Sequence, residues 1–373
     1  MKNVLWILLA GMIFSCSESK TEENQEVMPD MKKVYIGTYT NKESKGIYTF
    51  NFDLNTGDAS LLSVTEGIES PSFLCLSPDG KNLYAVSELE NGGVQAYAVG
   101  DSSLTFINAA SSAGVHPCHI SCSANGQWLY VGNYSSGSLS VLKRNPDGSI
   151  SEPIQEIKHK GSSVNKSRQE APHVHSITPS PDGKFVFVAD LGIDKIVAYS
   201  QNDSTGILSE AYEVAVTPGS GPRHFTFNPA GTHAYLVQEL TGSVTVYDYA
   251  SDGQLIFKQE ISTLPDGFEG DNSSADIHIS PDGKFLYASN RFHDSIVVYK
   301  IADDGTLSLV SHHTVVGKVP RNFAIDGSGK YVLVANQDTD NIVVFVRDAE
   351  TGKISPTGKE FKVSMPVCVL FER

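Results

Sequence analysis

The sequence predicts an all-β fold: a seven-bladed propeller of four-stranded blades, its ring closed by the C-terminal strand completing the N-terminal blade. Three observations carry this. A turn-and-strand unit recurs along the chain at intervals near 50 residues. Each unit reads as short apolar, β-branched runs punctuated by Gly, Asn and Asp, with no helical period. The two ends of the chain each carry part of one further unit.

The repeat is first seen as SPDGKNLYAVSE at 77–88. It returns as SANGQWLYVGNY (123–134), SPDGKFVFVADL (180–191), NPAGTHAYLVQE (228–239), SPDGKFLYASNR (280–291) and DGSGKYVLVANQ (326–337). The turn glycines Gly80, Gly126, Gly183, Gly231, Gly283 and Gly329 are spaced 46, 57, 48, 52 and 46 residues apart. In each unit a short strand precedes the turn and a second follows it. A third begins after a polar turn, and a more polar fourth closes the unit, which is the content of a propeller blade. VYIGTYT (34–40) and GIYTFNFD (46–53) match the second and third strands of a seventh unit that lacks its first. MPVCVLF (365–371) matches the missing strand, so pairing the two ends protects both edges.

Residues 1–16 read as a lipoprotein export signal: Lys2, an apolar run over 4–14 too short to span a bilayer, and a lipobox-like end at Cys16, the expected site of lipidation. Residues 17–31 are polar and read as a disordered tether, leaving 32–373 as the propeller. The protein is thus expected to be exported and lipid-anchored to the cell envelope, touching membrane through that anchor alone. A net charge of −15 argues against a nucleic-acid partner. A monomer is expected. Of the remaining cysteines, Cys118 and Cys122 stand four apart on one strand, roughly 13 Å at about 3.3 Å per residue, too far to bridge. Cys75, Cys118, Cys122 and Cys368 all fall in apolar runs and are expected to be buried free thiols.

Topology places a site before any side chain is considered. The Pro-Asp-Gly turns share one face of the ring, so strand-one starts and strand-two ends gather at the channel mouth on the other. Before the turns stand Ser72-Phe73, Cys118-His119, His175-Ser176, Arg223-His224, Ala275-Asp276 and Arg321-Asn322. After them stand Glu88, Tyr134, Leu191, Glu239, Arg291 and Gln337, with Tyr39 from the split blade. A ring that only filled space would repeat small or apolar residues; these columns are polar and differ between blades. Arg223, Arg291 and Arg321 converge from three blades of an acidic chain, and guanidinium forks suit carboxylate or phosphate. Glu239, 16 residues beyond Arg223, is either its partner or a base kept ionised by cations. The long 57-residue interval holds EIKHKGSSVNKSRQEAPH (156–173), read as a flap carrying Arg168 to the site.

His173 and His175 in QEAPHVHS (169–176) pose a choice among metal pair, catalytic histidine and strand filling. His175 falls in the column of Arg223 and Arg321, and His173 nearer the rim. His119, His173, His175 and His224 offer imidazoles, but no carboxylate cluster of calcium-site spacing accompanies them, so no metal and no cofactor is expected.

Three stretches, RQEAPHVHSITPSPDGKFVFVADLG, GPRHFTFNPAGTHAYLVQE and ADIHISPDGKFLYASNRFHDSIVVY with PRNFAID, resemble the lactonase family of seven-bladed propellers. That family includes propeller-type 6-phosphogluconolactonases and carboxymuconate cyclases, and the resemblance covers roughly residues 32–371. It implies that His175, Arg223, Glu239 and Arg291 are the catalytic set. Arg321, Arg168, His173, His224, Asn322, Gln337 and Tyr134 are the expected substrate contacts. The implied substrate is a small anionic lactone or carboxylate, hydrolysed by a lactonase of 6-phosphogluconolactonase type with Glu239 or His175 activating water. The alternatives are a cycloisomerase on a muconate and a non-catalytic propeller that binds a ligand or protein at the cell surface.

Overall fold

The computed structural model describes residues 1–2 and 30–373. Cys16, its preceding apolar run and most of the predicted tether lie outside the described residues. Within them, seven four-stranded antiparallel sheets form the expected seven blades. Blade 1 joins the C-terminal strand Pro366–Phe371 to Met31–Thr38, Gly46–Asp53 and Ala59–Glu66. Blades 2 to 7 follow in chain order, with innermost strands Leu74–Leu76, Pro117–Cys122, Val174–Pro179, Pro222–Phe227, Ser273–Ile279 and Pro320–Ile325.

The ring closes as the two ends of the sequence predict. Val34 pairs with Phe371 and Gly37 with Cys368, and Lys33 Nζ reaches Glu372 Oε1 at 3.4 Å. Val34, Ile36 and Phe52 then pack on Leu333, Ala335 and Ile342 of blade 7, all fully buried. A buried Val, Ile, Leu or Phe contributes about 1.5–3 kcal/mol, so one such blade-to-blade contact outweighs any single surface ion pair.

The repeated turn has a chemical cause. In blade 4, Ser180 Oγ donates to Asp182 Oδ1 at 2.6 Å and accepts from Phe185 N at 2.9 Å. Gly183 has φ of 70°, which glycine adopts without a Cβ penalty. Blades are bolted sideways near these turns. Arg347 of blade 7 reaches Asp282 in the blade 6 turn at 2.7 Å and the Tyr287 hydroxyl at 2.9 Å.

The opposite face is shaped by how each innermost strand starts. Proline is the first residue in four of these strands, at Pro117, Pro222, Pro320 and Pro366, where its missing N–H breaks no ladder bond. The preceding residue turns left-handed: His116, Gly221, Val319 and Met365 have φ of 53°, 70°, 58° and 48°. A carboxylate from the preceding blade latches three of these turns. Asp194 Oδ1 takes Gly221 N at 2.8 Å, Asp294 Oδ1 takes Val319 N at 2.8 Å, and Asp340 Oδ1 takes Met365 N at 2.7 Å.

The next residue is a β-bulge. Pro222 pairs with Gln238 and His224 with Val237, which leaves Arg223 as the extra residue. The same shift isolates Cys118, His175, Arg321 and Val367, and sets Ala275 and Asp276 opposite one partner residue. A bulge re-aims a side chain that the regular pleat would send elsewhere. It also changes the reading of HVH, because simple alternation does not operate across His175.

Two expectations need adjustment. All four cysteines are free, but Cys75 and Cys122 are only partly buried, unlike Cys118 and Cys368. The 156–173 insertion is pinned rather than loose. Gln169 is fully buried within it, donates to Leu191 O at 2.9 Å and accepts from Asn165 N at 3.1 Å.

Candidate active site

The bulge residues form a ring around the channel axis, and four arginines gather on one side of it. At their centre is Glu239, the last residue of its sequence repeat and 3% exposed. Its Oε2 takes Arg223 Nε at 2.9 Å and an Arg291 terminal nitrogen at 3.0 Å. Its Oε1 is bonded by Arg168. Burial alone would raise the Glu239 carboxyl, but Arg291, Arg223 and Arg168 outweigh it and hold it well below the usual carboxylate range. Glu239 is therefore a permanent anion that aligns cations, and a feeble base.

His175 stands beside this cluster, its Nε2 3.9 Å from Glu239 Oε2. Burial first, then Arg223, His224 and Arg321, draws its pKa well below 6.5, so the ring is neutral at physiological pH. Tyr134 lies edge-on to His175 at 5.5 Å and stacks on His173 at 4.4 Å. His173 is held outside the strand, with Nδ1 3.1 Å from Tyr134 O. The two histidines thus share contacts with Tyr134. Among the described residues no group of three or more His, Cys, Asp or Glu is placed to hold a metal ion.

A second layer supports Arg223 from below. Arg223 Nη1 donates to Ala275 O at 2.6 Å and lies 3.1 Å from His224 Nε2. Guanidinium can only donate, so Nε2 is the acceptor and the proton sits on Nδ1, which faces Asp276 Oδ1 at 2.7 Å. Burial, then Arg223, pushes the His224 pKa down to about 4, consistent with a neutral ring. Asp276 also takes His278 Nε2 at 2.8 Å and Asn322 Nδ2 at 2.5 Å. His224 and Asn322 are both committed to this network, which holds Arg223 in place.

The fourth arginine differs. Among the described residues Arg321 makes no ion pair, and its guanidinium lies over the Tyr39 ring at 5.4 Å. Tyr39 in turn donates to Glu88 Oε2 at 3.0 Å. Four arginines face the three carboxylates of Glu239, Glu88 and Asp276, so the site keeps a net positive charge within a chain of net charge −15. That arrangement suits an anionic ligand, or an oxygen on which negative charge develops.

The comparisons with known proteins meet this geometry. The family described as "Lactonase, 7-bladed beta-propeller" matches residues 33–371. The chain belongs to this lactonase family. Curated relatives named 6-phosphogluconolactonase include one from Formosa agariphila, 39% identical over 343 residues, covering 89% of this chain and 97% of the relative. Another, from Bacillus subtilis, is 35% identical over 342 residues, covering 90% and 97%. Among solved structures, a putative 6-phosphogluconolactonase from Bacteroides fragilis superposes with a TM-score of 0.87 at 38% identity, covering 95% of this chain and 99% of that one. The periplasmic gluconolactonase of Pseudomonas aeruginosa gives 0.88 at 34%, covering 92% and 99%.

In this lactonase-family chain, the structure brings together His175, Arg223, Glu239, Arg291 and Arg168, with Tyr134 and His173 against them. Gln337 stands apart from that cluster, its Nε2 on Asp338 Oδ1 at 3.2 Å. The sequence-derived candidates omitted Asp276, Tyr39, Glu88 and Ser72, although all four stood in the columns that defined the channel mouth. Each looked unremarkable beside the arginines, and only the folded ring shows which of them meet. Ser273, whose Oγ accepts from Arg291 at 2.6 Å, carried no sequence signal.

Proposed function

We propose that this chain is an exported lactonase that hydrolyses a sugar lactone of the gluconolactone or 6-phosphogluconolactone type. The observation that carries the reading is the neutral, buried His175 beside a carboxylate locked by three arginines. A base must be unprotonated at working pH, and a buried arginine cluster can stabilise the oxygen that becomes negative in acyl transfer.

In this mechanism the arginine cluster polarises the lactone carbonyl. His175 takes a proton from water as the water oxygen bonds to the carbonyl carbon. The ring C–O bond then breaks, and His175 returns the proton to the departing alkoxide, giving the open hydroxy acid. Glu239 orients Arg223, Arg291 and Arg168 and offsets the positive charge that forms on His175. The excess positive charge of the site favours an acidic substituent on the substrate.

Export rests on residues 1–16, with the periplasmic Pseudomonas relative as support. A Cys16→Ala chain should move from the membrane to the soluble fraction on cell fractionation. The catalytic reading is tested by alkali consumption with gluconolactone, 6-phosphogluconolactone and muconolactones. Turnover of a sugar lactone supports it. Turnover of muconolactones alone favours the cycloisomerase reading, and no turnover of the panel favours a binding propeller.

A further inference from the structure

On the ring axis, just beneath the arginine cluster, lies a chamber of about 10 Å³. Six of the seven ring positions line it: Ser72, Cys118, His175, Arg223, Arg321 and Val367. Phe73, Glu88, His224 and Asn322 complete its wall, and the Glu88 carboxylate further disfavours an anion there. The volume matches the room that one water needs, about 10–15 Å³, and is too small for a carboxylate or a phosphate.

Among the described residues, neither Ser72 Oγ nor His175 Nδ1 has a hydrogen-bond partner, and each residue is 4% exposed. Such groups in a native interior normally find a partner, and leaving one unmet costs about 1–3 kcal/mol. Arg321, which makes no ion pair among the described residues, lines the same space. Assigning the ring proton of neutral His175 to Nε2, the side of the Glu239 carboxylate 3.9 Å away, leaves a lone pair on Nδ1. The occupant must therefore donate to an imidazole lone pair while accepting from a guanidinium. A bare anion cannot donate, and an ammonium cannot accept; a water molecule does both.

We infer that this chamber seats the water that attacks the lactone, held by Ser72, His175 and Arg321, with Ser72 a further catalytic residue. This rests on the hydrolytic reading above. Ser72 orients the water through its hydroxyl, Arg321 holds its oxygen, and His175 Nδ1 receives the proton as the O–C bond forms. The same proton passes to the ring oxygen as the lactone opens, so the cycle restores neutral His175.

The test has a structural and a kinetic arm, both on the full chain. A crystal structure at about 1.5 Å resolution should show a solvent peak within hydrogen-bond distance, about 3.2 Å, of Ser72 Oγ and His175 Nδ1. In Ser72→Val, whose added methyl occupies the chamber, that peak should vanish. With the lactone that the wild type hydrolyses, kcat should fall about 100-fold in Ser72→Val and about tenfold in Ser72→Ala. KM should stay within about threefold, because the water is absent from substrate binding. Melting temperatures near the wild-type value establish that both variants fold; if Ser72→Val does not fold, Ser72→Ala decides. The inference is overturned by wild-type density with no water there, or by a loss confined to KM. A folded Ser72→Ala with wild-type kcat also overturns it. If the wild type hydrolyses no lactone, the functional reading fails while the solvent peak still reports on the chamber.

Discussion

Arg223 and Glu239 stand 16 residues apart in sequence and 2.9 Å apart in the structure, facing each other across the two inner strands of blade 5. The pair depends on the bulge at Arg223, which turns that side chain toward the end of the neighbouring strand. The latch from Asp194 to Gly221, two residues earlier, fixes where the bulge falls.

Glu239→Gln removes the charge that three arginines share. Leaving buried cations uncompensated costs about 3–5 kcal/mol, so the variant should melt well below the wild type by calorimetry. Its kcat should fall by about 100-fold or more, because the arginines lose their alignment. A Glu239→Gln chain of wild-type stability would mean that the arginines are held by other groups.

Arg168→Ala should behave differently. Its side chain is 40% exposed and comes from the inserted segment, so solvent screens its pairing with Glu239. Stability should change by less than about 1 kcal/mol. KM for an anionic lactone should rise by about tenfold, measured against an uncharged lactone as the control.

The pH response follows from the buried imidazoles. Burial is the first cause that draws His119, His175 and His224 below 6.5, and His224 reaches about 4. The unfolded chain takes up these protons as pH falls through 6.5, while the folded chain resists. Stability is therefore full above that pH and is lost on acidification, by about 3 kcal/mol from His224 alone. His278 has the opposite sign: Asp276 overcomes its burial and raises its pKa, so its contribution fades as pH rises. With three groups against one, melting temperature should hold at pH 7–8 and drop below pH 6.5. The acid limb of kcat/KM should likewise lie below the ordinary imidazole range. A melting temperature that climbs on acidification would contradict this assignment.

Deleting residues 366–373 removes the innermost strand of blade 1. It exposes the edge of Met31–Thr38 and leaves Asn322 Oδ1 without Val369 N, its partner at 2.6 Å. The truncated chain should lose its cooperative thermal transition in circular dichroism and aggregate through the open edge.

Much of this was legible in the sequence. Blade number, ring closure and the gathering of Arg223, Arg291 and Arg321 follow from a repeat that keeps its register. Glu239 was legible as a partner of Arg223 because both sit at the same depth of one hairpin. The bulges were not legible, since a bulge is a pairing mismatch between two strands and neither strand records it alone. For that reason the HVH histidines looked like a same-face pair, whereas His173 precedes the strand and His175 is the bulged residue. The tie of His224 and Asn322 to Asp276 was not legible either, because Asp276 lies 52 and 46 residues away in blade 6. The insertion read as a flap because its basic surface is visible in sequence, while the anchoring role of Gln169 is not.

The most direct measurement is alkali consumption by the purified chain at neutral pH, with gluconolactone and 6-phosphogluconolactone as separate substrates. Hydrolysis of at least one, well above its spontaneous rate and abolished in a folded Arg223→Ala chain, is the predicted result. Hydrolysis that survives Arg223→Ala, or no hydrolysis of either lactone by the wild type, would contradict the account.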